Sequence, residues 1–402
     1  MKIALLHPAF GAWGGAENVI LWEAQGLRAR GHEVAVLAAS FSERAISLFG
    51  EACIETRRLR LMDGRAWTRL QIGGGGARVM PHADHVVRLD RASMRRGAAR
   101  LARELSAYDV VNVHNFPATW WLHEARRAAG KRPFPRTVWY CEEPPRTLYP
   151  GLFDGADFTF TPDGSDLQAH DREVGAGMAH IACNSRYVRD RVAAIYGRPD
   201  AECVYLGIPP PPGEAREWKG KNGLDVLMVT RLVEAKNVAC AIRAVARVEG
   251  ARLRIAGTGP QRAELEHLID TLGVSDRVKL LGFVADEEMP ALYRSADAFI
   301  FLSIGEPFGL VLLEAAWAGV PSVTSNHGGP SEIVLNGETG WLVDPRSVDA
   351  VCDALRRMGA STGEGAQESP LARMGRAART RVMEIFPLPR YIDAMETLLQ
   401  GR

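Results

Sequence analysis

Residues 306–314, Glu306-Pro-Phe-Gly-Leu-Val-Leu-Leu-Glu314, follow the strand-like run Ala298-Phe-Ile-Phe-Leu-Ser303, and the way these two stretches join decides the fold. Pro307 presets φ and lacks an N–H that the start of a helix does not need, so a loop or first turn is expected there and a helix over residues 310–318. Glu306 then sits on the loop, and Glu314 about a turn inside the helix. The N–H groups of Phe308, Gly309 and Leu310 converge on one spot between the two carboxylates. A helix start attracts anions through its dipole and its unpaired donors. A carboxylate on each side can hold hydroxyl groups. The pattern fits a ligand that carries a sugar, a diphosphate and a ribose.

Outward from this segment, short apolar runs alternate with helical patterns, which predicts parallel α/β layers. Residues 3–7, 34–37, 110–114, 137–140 and 181–183 read as strands in the first half. In the second half the same holds for residues 226–230, 253–256, 278–281, 298–302 and 322–324. A helix is expected over residues 17–30, stopped by Gly31. Another, over residues 92–105, puts Met94, Ala98, Leu101 and Leu105 on one stripe. The four prolines of Gly207-Ile-Pro-Pro-Pro-Pro-Gly213 cannot enter a core strand or helix and read as a stiff extended linker. The polar, glycine-rich residues 359–369 read as a surface loop. The expected fold is α/β: two Rossmann-like, doubly wound parallel-sheet domains, 1–206 and 207–386, facing a central cleft, with a terminal helix at 387–402. Ligands of such sheets bind at the carboxyl ends of the strands.

The composition agrees with two ordinary cores: 402 residues, 47% of them hydrophobic. A net charge of +1 argues against bulk nucleic-acid binding. The cysteines at 53, 141, 183, 203, 240 and 352 form no C-x-x-C, so neither a zinc site nor a disulfide framework is suggested. The opening Met-Lys-Ile-Ala-Leu-Leu-His-Pro is broken too early for a signal peptide, and no apolar run nears the ~20 residues that span a bilayer. The expected location is the cytoplasm, in solution or peripheral on a membrane.

Other constellations fall where strands are expected to end. Arg231 and Lys236, in Thr230-Arg-Leu-Val-Glu-Ala-Lys-Asn237, offer a planar fork and a point charge to one diphosphate. Gly11-Ala-Trp-Gly-Gly-Ala-Glu17 lets backbone at Gly14 and Gly15 approach a phosphate or sugar, but it is not a G-x-G-x-x-G and no acidic ribose partner follows the second strand. His114 ends the strand-like Val110-Val-Asn-Val-His114 and can reach a ligand; His7, at the end of the first strand, is a weaker candidate. Gly257-Thr-Gly-Pro260 reads as a tight turn with Pro260 opening a helix. No D-x-D occurs, so the usual carboxylate clamp for a metal on a diphosphate is missing and no metal or cofactor is expected. Residues 51–105 hold twelve arginines against six acidic residues, with Trp67, Leu70 and Ile72 among them. That mixture suits an anionic membrane face or a phosphorylated acceptor.

The segment framed by Glu306 and Glu314 resembles the signature of the retaining family-4 glycosyltransferases (glycosyl transferases group 1) of the GT-B fold, and the resemblance extends over nearly the whole chain. It implies that Glu306 holds hydroxyls of the donor sugar and Glu314 the ribose, while Arg231 and Lys236 neutralise the leaving nucleoside diphosphate. It places Gly14 and Gly15 at the cleft and His114 near the reacting carbon. The turn Gly282-Phe283-Val284 would hold the nucleobase, and His327 with Gly328-Gly-Pro-Ser-Glu332 would form a second glycine loop. The last helix would cross back to the first domain. Trp139-Tyr-Cys-Glu-Glu-Pro-Pro-Arg146 is similar to a Tyr-Cys-His-x-Pro segment of some mannosyltransferases, with Glu142 in place of the histidine; Glu142, Glu143 and Arg146 are candidates for the acceptor side. The activity implied is transfer of a hexose, mannose by a slight preference, from a nucleotide-diphosphate sugar as co-substrate to a glycan, lipid-linked or small-molecule acceptor. Two other readings fit the same residues: a nucleotide-sugar epimerase of the same fold, and a non-catalytic nucleotide-sugar-binding protein.

Overall fold

The alternating apolar strands and amphipathic helices build two separate parallel sheets. The computed structural model describes residues 1–11, 13–59, 97–146, 148–149, 165–214, 216, 218, 223–359 and 369–402. Chain contacts divide these into two units. One takes the described residues up to Leu206 together with Leu388–Arg402, and the other takes those from Gly207 to Pro387.

The first unit is wound on β1 (Lys2–His7), β2 (Glu33–Ala38), β3 (Glu55–Arg58), β4 (Val110–His114), β5 (Arg136–Cys141), β6 (His180–Cys183) and β7 (Glu202–Cys203). Their order across the sheet is β3-β2-β1-β4-β5-β6-β7, and every pair is parallel. β4 is buried at every position, and β1 and β2 at all but the first, because helices cover both faces of the sheet. Winding reverses between β1 and β4, so the loops after His7 and after His114 leave the sheet side by side.

The second unit repeats the plan with β8 (Leu224–Val229), β9 (Ala251–Ala256), β10 (Val278–Gly282), β11 (Ala298–Phe301), β12 (Ser322–Ser325) and β13 (Gly340–Val343). The order is β10-β9-β8-β11-β12-β13, again all parallel, with the reversal between β8 and β11. Its core gathers Val226, Met228, Leu253, Ile255, Ile300 and Val323 from the strands with Ile242, Val245 and Leu355 from the helices. Both sheets therefore carry the Rossmann-like architecture expected of a GT-B chain.

Three strands have no expectation in the pattern, each for a physical reason. β3 is the charged run Glu55-Thr-Arg-Arg58 on an edge, with no fully buried position. β7 has two residues. β13 opens on Gly340, where a Cβ would lie 2.1 Å from the Ser322 carbonyl oxygen of its neighbour. One helix start also differs. Pro260 does not open a helix, which begins at Arg262 with Gln261 as its cap. Gly257 and Gly259 are there instead because a Cβ would strike Thr230 O at 1.8 Å and Leu232 O at 2.3 Å. This turn thus braces the backbone that carries Arg231.

The final helix, Leu388–Gln400, belongs to the first unit and lies on the helix Gly15–Ala29. Gly26 permits the contact, since a Cβ there would sit 2.6 Å from Ile392 Cγ1. Residues 97–105 are helical, with Ala98, Leu101 and Leu105 buried, whereas Met94 lies outside the described residues. So do residues 60–96, which hold most of the arginine-rich stretch with Trp67, Leu70 and Ile72, and residues 360–368 of the glycine-rich loop. Among the described residues, no helix is long and apolar enough to cross a membrane.

Candidate functional site

The carboxyl edge of the second sheet collects most of the candidates. The loop after β8 contains Arg231 and a short turn, Glu234–Lys236, closed by Asn237 in the left-handed region at φ 52°. That turn is tied to the loop after β11 by Ile304 N donating to Ala235 O at 2.9 Å. The tie brings Lys236 Nζ to Glu306 Oε2 at 2.5 Å, and Ser303 Oγ donates to the same oxygen at 2.7 Å. Lys236 also stands 5.4 Å over the Phe301 ring. Arg231 is exposed and, among the described residues, its guanidinium makes no hydrogen bond or ion pair. The Lys236–Glu306 pair is neutral overall, so among the described residues Arg231 adds an uncompensated positive charge to this edge.

The helix Leu310–Trp317 starts from Gly309 at φ 107°, and among the described residues no side chain caps it, the arrangement in which a helix start receives an anion. Phe308 is buried and anchors the turn, its ring 6.0 Å from that of Phe386. The glycine loop after β12 packs directly on the Glu306 turn. Gly329 N donates to Glu306 O at 3.0 Å, and a Cβ on Gly328 would lie 2.5 Å from that same oxygen. His327, next to it, is exposed.

Glu314 is one turn into the helix, where Tyr293 Oη donates to its Oε2 at 2.6 Å. Burial, opposed by the Tyr293 bond and reinforced by Asp286, holds this carboxyl above the ordinary carboxylate range. Gly282, at φ 75°, closes β10, and Phe283 after it is 70% exposed, an aromatic face available for stacking. Val284 is partly buried beside it.

The first unit gathers a different set at its own carboxyl edge. Gly14 and Gly15 stand at the start of the helix Gly15–Ala29, again without a side-chain cap among the described residues. His114 does not project toward solvent. It is completely buried, with Nε2 3.4 Å from Glu23 Oε2 and Nδ1 3.5 Å from Glu142 Oε1. Glu23 is itself fully buried and accepts from Asn112 Nδ2 and from Tyr391 Oη, each at 2.7 Å. Burial works against a charged His114, yet the contacts and charges of Glu142 and Glu23, at 3.4–3.5 Å, prevail and push it up to about 9. His7, equally enclosed, is pushed down to about 3 by burial and by His114. Glu142 keeps 14% of its side chain exposed. Glu143 and Arg146 are paired to each other at 2.6 Å.

Glu23, Asn112 and Tyr391 have no place among the sequence candidates, nor do Ser303 and Tyr293. A signal existed for Glu23, because it falls on the apolar stripe Val19, Ile20, Ala24, Leu27 of its helix, where an acid needs a partner. Among the described residues one group could hold a metal: His123, His170 and Glu173, on two helices of the first unit. Arg127 Nη1 already lies 3.4 Å from Glu173 Oε1, which sets a cation where the ion would go.

Comparison with known proteins agrees with these two units. Residues 13–210 match the family model "Glycosyltransferase Family 4", and residues 214–381 match "Glycosyl transferases group 1". The chain is 35% identical over 210 residues to the GDP-mannose-dependent alpha-(1-6)-phosphatidylinositol monomannoside mannosyltransferase of Mycobacterium tuberculosis, over 46% of this chain and 54% of that protein. It is 39% identical over 220 residues to the glycogen synthase of the same organism, over 51% of this chain and 50% of that one. The chain thus spans about half the length of the curated relatives it matches. Among solved structures, HepE of Anabaena in complex with UDP superposes with a TM-score of 0.75 at 19% identity, over 100% of both chains. Sucrose-phosphate synthase of Thermosynechococcus elongatus gives 0.73 at 18% identity, over 99% of this chain and 98% of that one. At these identities the superpositions establish the fold.

Proposed function

Because the chain belongs to the glycosyltransferases that these two family models describe, we propose that it moves a hexose from a nucleotide-diphosphate sugar to a hydroxyl of a glycan, lipid-linked or small-molecule acceptor, with retention at the anomeric carbon and without a metal. The observation that carries this reading is the carboxyl edge of the second sheet. There a neutral Lys236–Glu306 pair, an exposed Arg231 and an uncapped helix start lie on neighbouring loops. As the bond from the anomeric carbon to the diphosphate breaks, negative charge grows on the leaving oxygen. Arg231, Lys236 and the N–H groups at Gly309 and Leu310 would stabilise it electrostatically. The acceptor oxygen bonds to the anomeric carbon on the face the diphosphate leaves, and the acceptor proton departs with the diphosphate. Glu306 would hold sugar hydroxyls, Glu314 the ribose, and Phe283 with the backbone of Gly282 and Val284 the base. GDP-mannose is the first donor to test, supported by the mycobacterial mannosyltransferase and by the Tyr140-Cys141 segment; UDP-, ADP- and GDP-hexoses complete the panel.

The test is release of nucleoside diphosphate from such a panel with an acceptor library. Arg231→Ala and Lys236→Ala should each lower turnover by about 10²–10³ with little loss of stability. Full activity in both variants would remove the leaving-group assignment. Turnover should also persist in EDTA; complete loss restored by magnesium or manganese would contradict the metal-free mechanism. Donor converted to an isomeric sugar without acceptor would favour the epimerase instead.

A further inference from the structure

The buried polar cluster of the first unit has a direction. Tyr391, on the last helix, holds Glu23; Glu23 faces one nitrogen of His114; the other nitrogen faces Glu142, the member of this chain of contacts with measurable exposure. We propose that Glu23 is a positioning residue which clamps His114 beneath Glu142, so that the Glu142 carboxylate, rather than the imidazole, meets a substrate hydroxyl. This rests on the transferase reading above and adds to it the group through which the first unit acts.

Three observations carry the assignment. First, His114 has no exposed surface, so direct contact with a ligand would require the ring to leave its seat. Second, Glu23 is fully buried with three polar groups converging on it from two other elements: Asn112 and His114 on β4, and Tyr391 on Leu388–Gln400. An acid this enclosed is tolerated only when paired, and removing one partner from such a set is strongly destabilising. Third, two carboxylates flank one imidazole at 3.4 and 3.5 Å, and the ring itself is shut off from water. With a neutral ring the cluster would hold two uncompensated negative charges; a proton on His114 reduces this to one.

The other groups facing His114 do not reverse this. His7, on β1, is held neutral. Tyr140 on β5 has its ring 5.6 Å away and its hydroxyl donated to Val204 O. Asn112 Nδ2 lies 3.1 Å from Nε2 and also donates to Glu23 Oε1 at 2.7 Å, a bond that keeps the amide from turning, so the Nε2 proton of a charged ring points to Glu23 Oε2 rather than to Asn112.

Two measurements on the full chain decide it. In protein labelled with ¹⁵N-histidine, the His114 ring nitrogens should both read as protonated at pH 7.5. In Glu23→Gln the proton should leave at least about one pH unit lower. A neutral His114 at pH 7.5 in the unaltered protein overturns the proposal, whatever the variant does. In transfer assays, Glu142→Gln should lower kcat/KM at least tenfold with an unchanged Tm. Glu23→Gln should move the alkaline limb of the pH–rate profile downward, which a merely structural role would not do. Wild-type kcat/KM in Glu142→Gln also overturns it. If no donor is turned over at all, it is the transferase reading that fails, while the titration still reports whether His114 carries its proton.

Discussion

Glu306 and Lys236 lie seventy positions apart and meet at 2.5 Å because two loops leave neighbouring strands at a reversal of winding. Each fixes the other, and the pair is neutral, so the affinity of this edge for a dianion should rest more on Arg231. Calorimetry with free nucleoside diphosphate should therefore show a larger loss, and a flatter salt dependence, for Arg231→Ala than for Lys236→Ala. Equal losses would mean that the Lys236–Glu306 pair opens on binding. Glu314 makes a contrasting case. Its folded value is raised by burial, so folding favours the protonated form, and at neutral pH the ionised carboxylate costs stability that is regained as the pH falls through the raised value toward the ordinary one. Glu314→Gln removes that charge, and the amide oxygen can still accept from Tyr293. The variant should thus raise Tm while weakening nucleoside diphosphate binding, a trade of stability for function. A lowered Tm with unchanged affinity would sink this reading of Glu314.

At the scale of elements, the loops of the second unit are braced against one another by close glycine contacts as well as by side chains. Gly329 has an ordinary helical backbone at φ −56°, so an added methyl group acts by contact alone. Its Cβ would stand 2.2 Å from Pro307 O and 2.4 Å from Phe308 Cα, which means the helix start must move. Gly329→Ala should cost about 1–3 kcal/mol of stability and at least tenfold in nucleoside diphosphate affinity. Chemical denaturation and calorimetry check the two parts, and a variant that binds normally would show that this loop does not set the helix start. The same packing explains what the sequence could and could not disclose. The strands that build the site, β1, β4, β8 and β11, are apolar and buried on both faces, so their pattern survives in one dimension, and the strand-end positions of Arg231, Lys236, Glu306 and His114 follow from it. The edge strand β3 buries almost nothing and left no pattern. Tyr293 stayed hidden, and the stripe that marks Glu23 as buried does not name its partners, because these lie 21 and 89 residues away, separations that no local period encodes. The burial of His114 was equally illegible, since a strand-end histidine reads the same whether it faces a ligand or two carboxylates.

For the chain as a whole, the decisive feature is that its last segment completes the unit in which the chain began. Tyr391, Ile392, Met395, Leu398 and Leu399 of Leu388–Gln400 are all at most 5% exposed, and Tyr391 gives Glu23 one of its hydrogen bonds. Burying large side chains of this kind stabilises by about 1.5–3 kcal/mol each, so five of them contribute on the order of 10 kcal/mol as an upper bound. That is comparable to the whole stability of an ordinary domain, about 5–15 kcal/mol. The second unit has no such debt to the terminus: its core of Val226, Ile255, Ile300 and their neighbours lies entirely within Gly207–Pro387. A chain ending at residue 387 should therefore lose the cooperative unfolding transition of the first unit while the second still unfolds as one and still binds nucleoside diphosphate. Ligand at about a hundred times its Kd should then stabilise the surviving transition by roughly 2.7 kcal/mol. Scanning calorimetry of the shortened chain, with and without nucleoside diphosphate, measures both. Two intact transitions after truncation would show that the first unit folds without its last helix. Loss of both would show that the two units share stability, and the independence assigned here to the second would be wrong.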